Sequence, residues 1–260
     1  MLHQACFRFY AELNDFLPAE RRFRTLTYFF NGHPAVKDAI EAFGIPHTEI
    51  DLILINNQSV NFETWVASGD RIAVYPVFEL FDISGVSRLR EHTLREPVFI
   101  LDVNLGKLTR FLRMAGFDSI YQNNFTDFEI IDLALQEGRI ILTRDQGILK
   151  NGRVTHGYWI RSVDPEVQFK EVLNKFDLFS RMHPFLICLD CNGKIVSVDK
   201  PVIEQNLLPD TRQFYNTFFR CCNCGKIYWR GSHYSRMLRF LESVCSDNNT
   251  NLPAVLPFAE

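Results

Sequence analysis

Apolar and polar residues alternate with period two in two early stretches. Over residues 5–10, Ala5, Phe7 and Phe9 share one face, with Cys6, Arg8 and Tyr10 on the other. Over 22–30, Leu26, Tyr28 and Phe30 fall together. Each pattern predicts a strand with one face in a core. The period then changes: Val36, Ala39, Ile40 and Phe43 recur at helical spacing after Pro34, which suits a first turn, and Gly44 followed by Ile45-Pro46 stops the helix. A continuous apolar run at 51–55 predicts a buried strand, Asn56-Asn57 a turn, and Gly69-Asp70 the entry to a last strand at 71–78. Strand, strand, helix, strand, strand is the order of a β-grasp.

The second half has a different rhythm. An apolar run opens at Pro97 and ends at Asp102. Leu105, Leu108, Phe111, Leu112 and Ala115 then fall in one helical arc, with Lys107, Arg110 and Arg113 opposite, so the reading is a helix over 105–115 with a basic outer face. Gly116 ends it and 117–121 returns as a strand. Thr126 stands three residues before Glu129, a capping-box spacing, and the helix it opens turns Ile130, Leu133 and Ala134 inward before Gly138. Residues 139–143 form the next strand, followed by Arg144 and Asp145; 158–162 and 165–179 read as a further strand and helix. Strands separated by helices imply right-handed βαβ units and a parallel sheet. The polar, charged stretch 81–96 is the expected linker.

Composition narrows the class. The chain of 260 residues is 47% hydrophobic and 23% charged, enough for two or three globular domains. A net charge of −3 gives no global argument for nucleic acid, so any such argument rests on local patches. No apolar run approaches the ~20 residues of a membrane helix, and the start shows no secretory pattern. Seven cysteines, four of them in two Cys-x-x-Cys pairs, favour bound zinc in a reducing, cytoplasmic setting over a disulfide framework.

Two carboxylates, Asp102 and Asp145, end strands, where parallel sheets bind ligands, and Asp127 begins the helix that leads into the second of those strands. Close carboxylates repel unless a cation lies between them, and hard oxygen donors favour Mg²⁺ or Mn²⁺. The plainer alternative is that Asp102 caps the following helix and Asp127 complements a helix dipole. Asp164, before Pro165, reads as a cap, and Glu129 is explained by the capping box. Lys107, Arg110, Arg113 and Arg144 lie near the acids in sequence and are candidate phosphate contacts; an ordinary charged helix face is the alternative.

Cys188 and Cys191 form one Cys-x-x-Cys pair, and Cys221 and Cys224 form a second with Gly225 behind it. Four thiolates in two such pairs predict a closed, structural zinc site. Cys222 reads as a spare, and Cys6 and Cys245 as ordinary thiols. The stretch 219–239 is basic and aromatic without an acid. Tyr228, Trp229, Arg230, His233 and Arg236 are candidate RNA contacts, though Tyr228 and Trp229 would equally serve to pack the ribbon.

The stretches AVKDAIEAFGIPHTEIDLILINNQ and GDRIAVYPVFE resemble the sulfur-carrier branch of the ubiquitin-like superfamily. Those carriers need a free Gly-Gly terminus, which this chain lacks after Glu79, so a docking or packing domain is the preferred reading. DVNLGKLTRFLRMAGFDSIY, with TDFEIIDLALQEGRIILTRDQGILK, resembles the PIN-like RNase domain named from the C-terminal part of the mutator-seven exonucleases, and YWRGSHYSRM is similar to the same pattern. The resemblance implies an α/β chain: a ubiquitin-like β-grasp (α+β) domain at 1–80, a linker at 81–96, a PIN-like parallel-sheet nuclease domain at 97–180, a four-cysteine zinc ribbon with its basic flank at 183–240 and a tail at 246–260. It also implies Asp102, Asp127 and Asp145 as the metal-binding acids. That family has a further acid on a helical segment between the first two. Here the interval holds Asp118, which reads as a strand or turn residue. The functional expectation is a metal-dependent ribonuclease acting on RNA, with a protein partner for the ubiquitin-like domain and no membrane. A non-catalytic RNA-binding or ribosome-associated module is the alternative, and a sulfur-carrier-like adaptor the third reading.

Overall fold

A computed structural model describes residues 2–77, 86–89 and 97–253. Most of the linker expected at 81–96, and the end of the tail, lie outside the described residues. In chain order the structure begins with β1 (His3–Phe9), β2 (Thr25–Phe30), α1 (Val36–Glu41), β3 (Ile50–Ile55), β4 (Gln58–Ser59) and β5 (Arg71–Pro76). Next come β6 (Phe99–Leu101), α2 (Gly106–Met114), β7 (Ser119–Ile120), α3 (Asp127–Glu137), β8 (Ile140–Thr143), α4 (Gln146–Leu149), β9 (Gly157–Trp159) and α5 (Pro165–Lys175). The last part holds β10 (Ile195–Val198), α6 (Lys200–Ile203), α7 (Pro209–Phe214), β11 (Phe218–Cys221), β12 (Ile227–Trp229) and α8 (Ser232–Asp247).

The chain divides into two units, Met1–Glu96 with Asp127–Trp159, and Pro97–Thr126 with Ile160–Glu260. In the first, a sheet of order β2-β1-β5-β3-β4 has β1 parallel to β5 and its other neighbours antiparallel, which is the β-grasp arrangement. Ala5, Phe7 and Phe9 are buried against Val36, Ala39 and Ile40 of α1, as their spacing predicts. Asn56 and Asn57 both take positive φ, 50° and 68°, the type I′ geometry that matches strand twist in the β3–β4 hairpin. Asp70 holds that hairpin from the next strand: its carboxylate accepts from Asn56 Nδ2 at 2.8 Å and from the Ala67 N–H at 2.7 Å.

The same unit contains α3, β8, α4 and β9. Strand β8 is buried along its whole length and pairs in parallel with β9, with Leu142 opposite Tyr158. The 3-10 turn His47–Glu49 grips this segment. His47 Nε2 donates to the Val154 carbonyl at 2.8 Å while Nδ1 meets Glu41 Oε1 at 2.7 Å. Glu49 Oε1 accepts the Trp159 N–H at 2.6 Å, and the Phe16 and Trp159 rings lie 4.8 Å apart. The β-grasp part is therefore bonded to residues 154–159, not tethered to them by a linker alone.

In the second unit, β6 and β7 pair in parallel, with Phe99 opposite Ser119. The Phe111, Phe169 and Phe240 rings of α2, α5 and α8 pack at 4.9–6.1 Å between centroids. Asp164 caps α5, accepting from the Glu166 and Val167 N–H groups, with Pro165 in the first turn as the sequence suggests. Strands β10, β11 and β12 form an antiparallel sheet over a small core of Ile203, Leu207 and Phe218. Among the described residues, no helix is long and apolar enough to cross a membrane.

His47 is the test of the grip. His47→Ala leaves the Val154 carbonyl without this donor and is expected to lower unfolding stability by about 1–3 kcal/mol. His33→Ala, at an exposed position, should change stability by less than about 0.5 kcal/mol. Urea unfolding midpoints of the two variants provide the comparison.

Candidate functional site

Asp102 follows β6 and is 5% exposed. Its backbone carbonyl accepts the Leu105 N–H at 2.9 Å, opening the 3-10 turn Val103–Leu105, and its side chain makes no capping bond there. The cap explanation raised by its position thus applies to its backbone and not to its carboxylate. Asp145 follows β8 and does cap: its Oδ1 accepts the Gly147 N–H at 2.7 Å at the start of α4, and its own N–H donates to Thr143 Oγ1 at 2.8 Å. A Cβ on Gly147 would stand 3.0 Å from that Oδ1, so glycine gives the carboxylate its room. Asp127 is the exposed first residue of α3. Asp102 belongs to one unit, Asp127 and Asp145 to the other.

The four paired cysteines do come together. One ligand atom from each of Cys188, Cys191, Cys221 and Cys224 lies within 4.8 Å of the others, so the group could hold a metal ion. Two turns of like construction deliver them. Each places a residue of positive φ directly after its second cysteine, Asn192 at 65° and Gly225 at 74°. Cys188 N donates to Gly193 O at 2.7 Å, and Cys221 N to Lys226 O at 2.9 Å. A Cβ on Gly193 would meet Cys221 Sγ and Asn223 Cγ at 2.8 Å, so only glycine lets the first turn close on the second.

The electrostatics fit a cation. Burial pushes Cys191 up to about 12, with the neighbouring Cys221, Cys224 and Cys188 adding to it against the Gly193 N–H. At Cys188 burial also pushes upward, but the Tyr228 hydroxyl, the Cys191 and Asp190 N–H groups and the Cys191 thiol outweigh it and bring the thiol to about 7. Four sulfurs this close cannot all be thiolates without a neutralising ion, and tetrahedral zinc takes such a set. The cluster could therefore hold zinc.

The first turn is fastened to α2 and β7 by groups that sequence periodicity placed elsewhere. Arg113, expected on the exposed basic face, is 4% exposed. Its Nε donates to Ser119 O at 2.9 Å, and its Nη1 to Leu189 O at 3.1 Å and Asp190 O at 2.8 Å. A helix position that looks outward within α2 is covered by a segment some 76 residues later, which no local pattern can reveal. Arg113 is thus a structural residue and is withdrawn from the RNA-contact set. Asn192 works beside it, accepting the Ser119 N–H at 2.9 Å and donating to Asp118 Oδ1 at 2.6 Å. Gly116, at φ +95°, lets the chain pass: a Cβ there would lie 2.1 Å from His183 O. His183 and Phe185 N–H groups close on the Ala115 and Met114 carbonyls at 2.9 Å.

The remaining basic and aromatic candidates divide. Lys107 and Arg110 are on α2 and both are exposed, Arg110 with its Nη2 4.0 Å from Asp190. Arg144 is half-buried beside Asp145. Arg230, His233 and Arg236 are exposed, and Arg236 Nη2 meets His233 Nδ1 at 3.0 Å on α8. Tyr228 and Trp229 face inward. Tyr228 Oη lies 3.0 Å from Cys188 Sγ, and burial together with that sulfur pushes its hydroxyl up, so it keeps its proton as a donor. Trp229 packs against the Ile203, Leu207 and Phe218 core. For both, the packing alternative describes the contacts seen. Asp190 and Lys226 are further members that sequence reasoning missed: they pair at 2.5 Å, and this bond holds the Asp190 carboxyl below its usual range.

A family model described as the Mut7-C RNAse domain matches residues 97–241, and one described as Mut7-C ubiquitin matches residues 2–82. No curated protein and no solved structure matches the chain.

Two variants test this centre. Arg113→Met leaves three carbonyls without their donor and should cost about 3 kcal/mol of unfolding stability, whereas Arg110→Met should cost less than about 0.5 kcal/mol. Tyr228→Phe removes the hydroxyl next to Cys188 and should weaken zinc affinity by about 10- to 100-fold, the usual effect of losing an outer hydrogen bond to a metal ligand. Competition with a calibrated chelator measures it.

Proposed function

We propose, from the premise that the chain belongs to the Mut7-C RNAse domain family, that it is a divalent-metal-dependent ribonuclease using Asp102, Asp127 and Asp145. The observation that carries this reading is Asp102. A carboxylate 5% exposed at the carboxyl end of a parallel strand, and not spent on capping the turn behind it, suits a cation ligand. Asp145 ends the other buried parallel strand and commits Oδ1 to Gly147, which fixes the direction of the carboxylate. Asp127, on the exposed first turn of α3, is the third acid.

The three acids are hard oxygen donors suited to Mg²⁺ or Mn²⁺. Such an ion supplies a polarised phosphoryl oxygen and a bound water of lowered pKa. The chain's own contribution is to hold the carboxylates that would bind the ion. Lys107 and Arg110 offset the charge of the phosphate chain, with Arg144 beside Asp145 as a further cation. Arg230, His233 and Arg236 on β12–α8 form a second basic surface for RNA. Zinc at Cys188, Cys191, Cys221 and Cys224 is structural, because a closed set of four thiolates has no open position for a substrate. The ubiquitin-like part serves as a fixed support and a docking surface for a protein partner.

The purified chain should cleave RNA with Mg²⁺ or Mn²⁺ and lose at least about 100-fold in rate in Asp102→Asn, Asp145→Asn, a loss in the range expected when an essential catalytic group is removed. Cleavage that survives the double substitution sinks the assignment of these acids. Binding without cleavage by the unsubstituted chain, across single-stranded and structured RNA, favours the non-catalytic RNA-binding module.

A further inference from the structure

Phe128 follows Asp127 in the first turn of α3 and is 65% exposed. An exposed phenylalanine alone is ordinary. What sets this one apart is the guanidinium of Arg153, whose Cζ stands over the ring 5.4 Å from its centroid. Arg153 is not a loose surface side chain. Its Nη2 is bonded to Asp132 Oδ1 at 2.5 Å, one turn along the same helix as the ring. Its N–H donates to Asn151 Oδ1 at 3.0 Å, and the Val154 N–H to Asn151 O at 2.9 Å. The Val154 carbonyl is in turn held by His47 Nε2 at 2.8 Å. Ring and guanidinium are thus set against each other before any ligand arrives, with most of the ring in solvent.

We propose that Phe128 and Arg153 form a stacking subsite for one unpaired base of single-stranded RNA; this rests on the ribonuclease reading of the adjacent Asp127. Bases stack on aromatic faces and on guanidinium planes. A paired base inside a duplex has no free face to offer, so the subsite selects an unpaired strand. The pairing of Arg153 with Asp132 points to the base and not to the phosphate as the group recognised, because the guanidinium charge is already met by a carboxylate. Because Phe128 adjoins Asp127, a base on the ring brings its own phosphate to the end of α3 that carries the acid.

The test uses full-length chain with Asp102→Asn, Asp145→Asn, so that RNA is not consumed, and fluorescence anisotropy with a short unstructured RNA, the same strand carrying abasic sites, and its duplex. Adding Phe128→Ala should weaken binding of the unstructured strand by about tenfold or more and leave the duplex and abasic strand unchanged. Phe128→Trp should retain affinity, with tryptophan fluorescence quenched by the base-bearing strand only. Equal affinity of Phe128→Ala and its parent for the unstructured strand overturns the subsite. So does the same loss on the abasic strand, or failure of the parent to bind the unstructured strand at all. A chain that binds through Phe128 yet cleaves no RNA with either metal keeps the subsite and rejects the ribonuclease reading. Cleavage with a silent Phe128 does the reverse.

Discussion

Four sulfurs drawn within 4.8 Å of one another are the constraint on which the C-terminal unit depends. As thiolates they repel one another, and a bound cation relieves that repulsion. The consequence extends beyond the ribbon sheet. The turn carrying Cys188 and Cys191 also supplies the Leu189 and Asp190 carbonyls to Arg113 and the Asn192 side chain to Asp118 and Ser119. Ser119 is the residue of β7 opposite Phe99 in β6, three residues before Asp102. The cysteine cluster and the strand that delivers the buried acid are thereby linked by a continuous run of hydrogen bonds. A cation held by these sulfurs would therefore stiffen the frame of Asp102 without touching it.

Much of the fold was legible because local patterns and tertiary burial agreed. Period-two faces gave β1 and β2, helical spacing gave α1 and α2, and the runs before Asp102 and Asp145 became fully buried strands. The cysteine spacing specified its own cluster. Illegibility began where a residue's environment is made by chain far away in sequence. Arg113 occupies a helical position that alternation with Lys107 and Arg110 marks as exposed, yet the Cys188 turn buries it. Tyr228 sits in a basic, aromatic run that suggests base stacking, yet its hydroxyl points at Cys188. In both cases the local pattern was read correctly and the distant partner changed its meaning.

The acidic residues show the opposite balance. Their strand-end positions could be read from sequence, but their division of labour could not. Asp145 is a helix cap in geometry, with one oxygen on Gly147, and the same bond orients the carboxylate. Capping and metal binding are therefore not exclusive explanations for it, since an ionised carboxylate has acceptor capacity on both oxygens. Asp102 separates the two explanations more cleanly, because its backbone closes the turn and its side chain does not. The family pattern's extra helical acid has no counterpart seen among the described residues: Asp118 is bonded to Asn192 at the ribbon turn, so its carboxylate is engaged in holding the cysteine-bearing segment.

The β-grasp part gains a physical role from the same reasoning. Sulfur carriers of this shape act through a free carboxyl terminus, whereas here the working contact is the His47–Glu49 turn. The His47 ring bridges the Glu41 carboxylate and the Val154 carbonyl, and the turn clamps Val154 while Glu49 holds Trp159. Val154 and Arg153 belong to one tight turn closed by Asn151, so a clamp on the carbonyl of the first restrains the backbone from which the second extends to Asp132. A ubiquitin-like domain used this way contributes rigidity at a distance from its own core: it fixes a loop whose Arg153 reaches Asp132 and the Phe128 ring on α3, and a loop so fixed has less conformational freedom left to lose in any binding event.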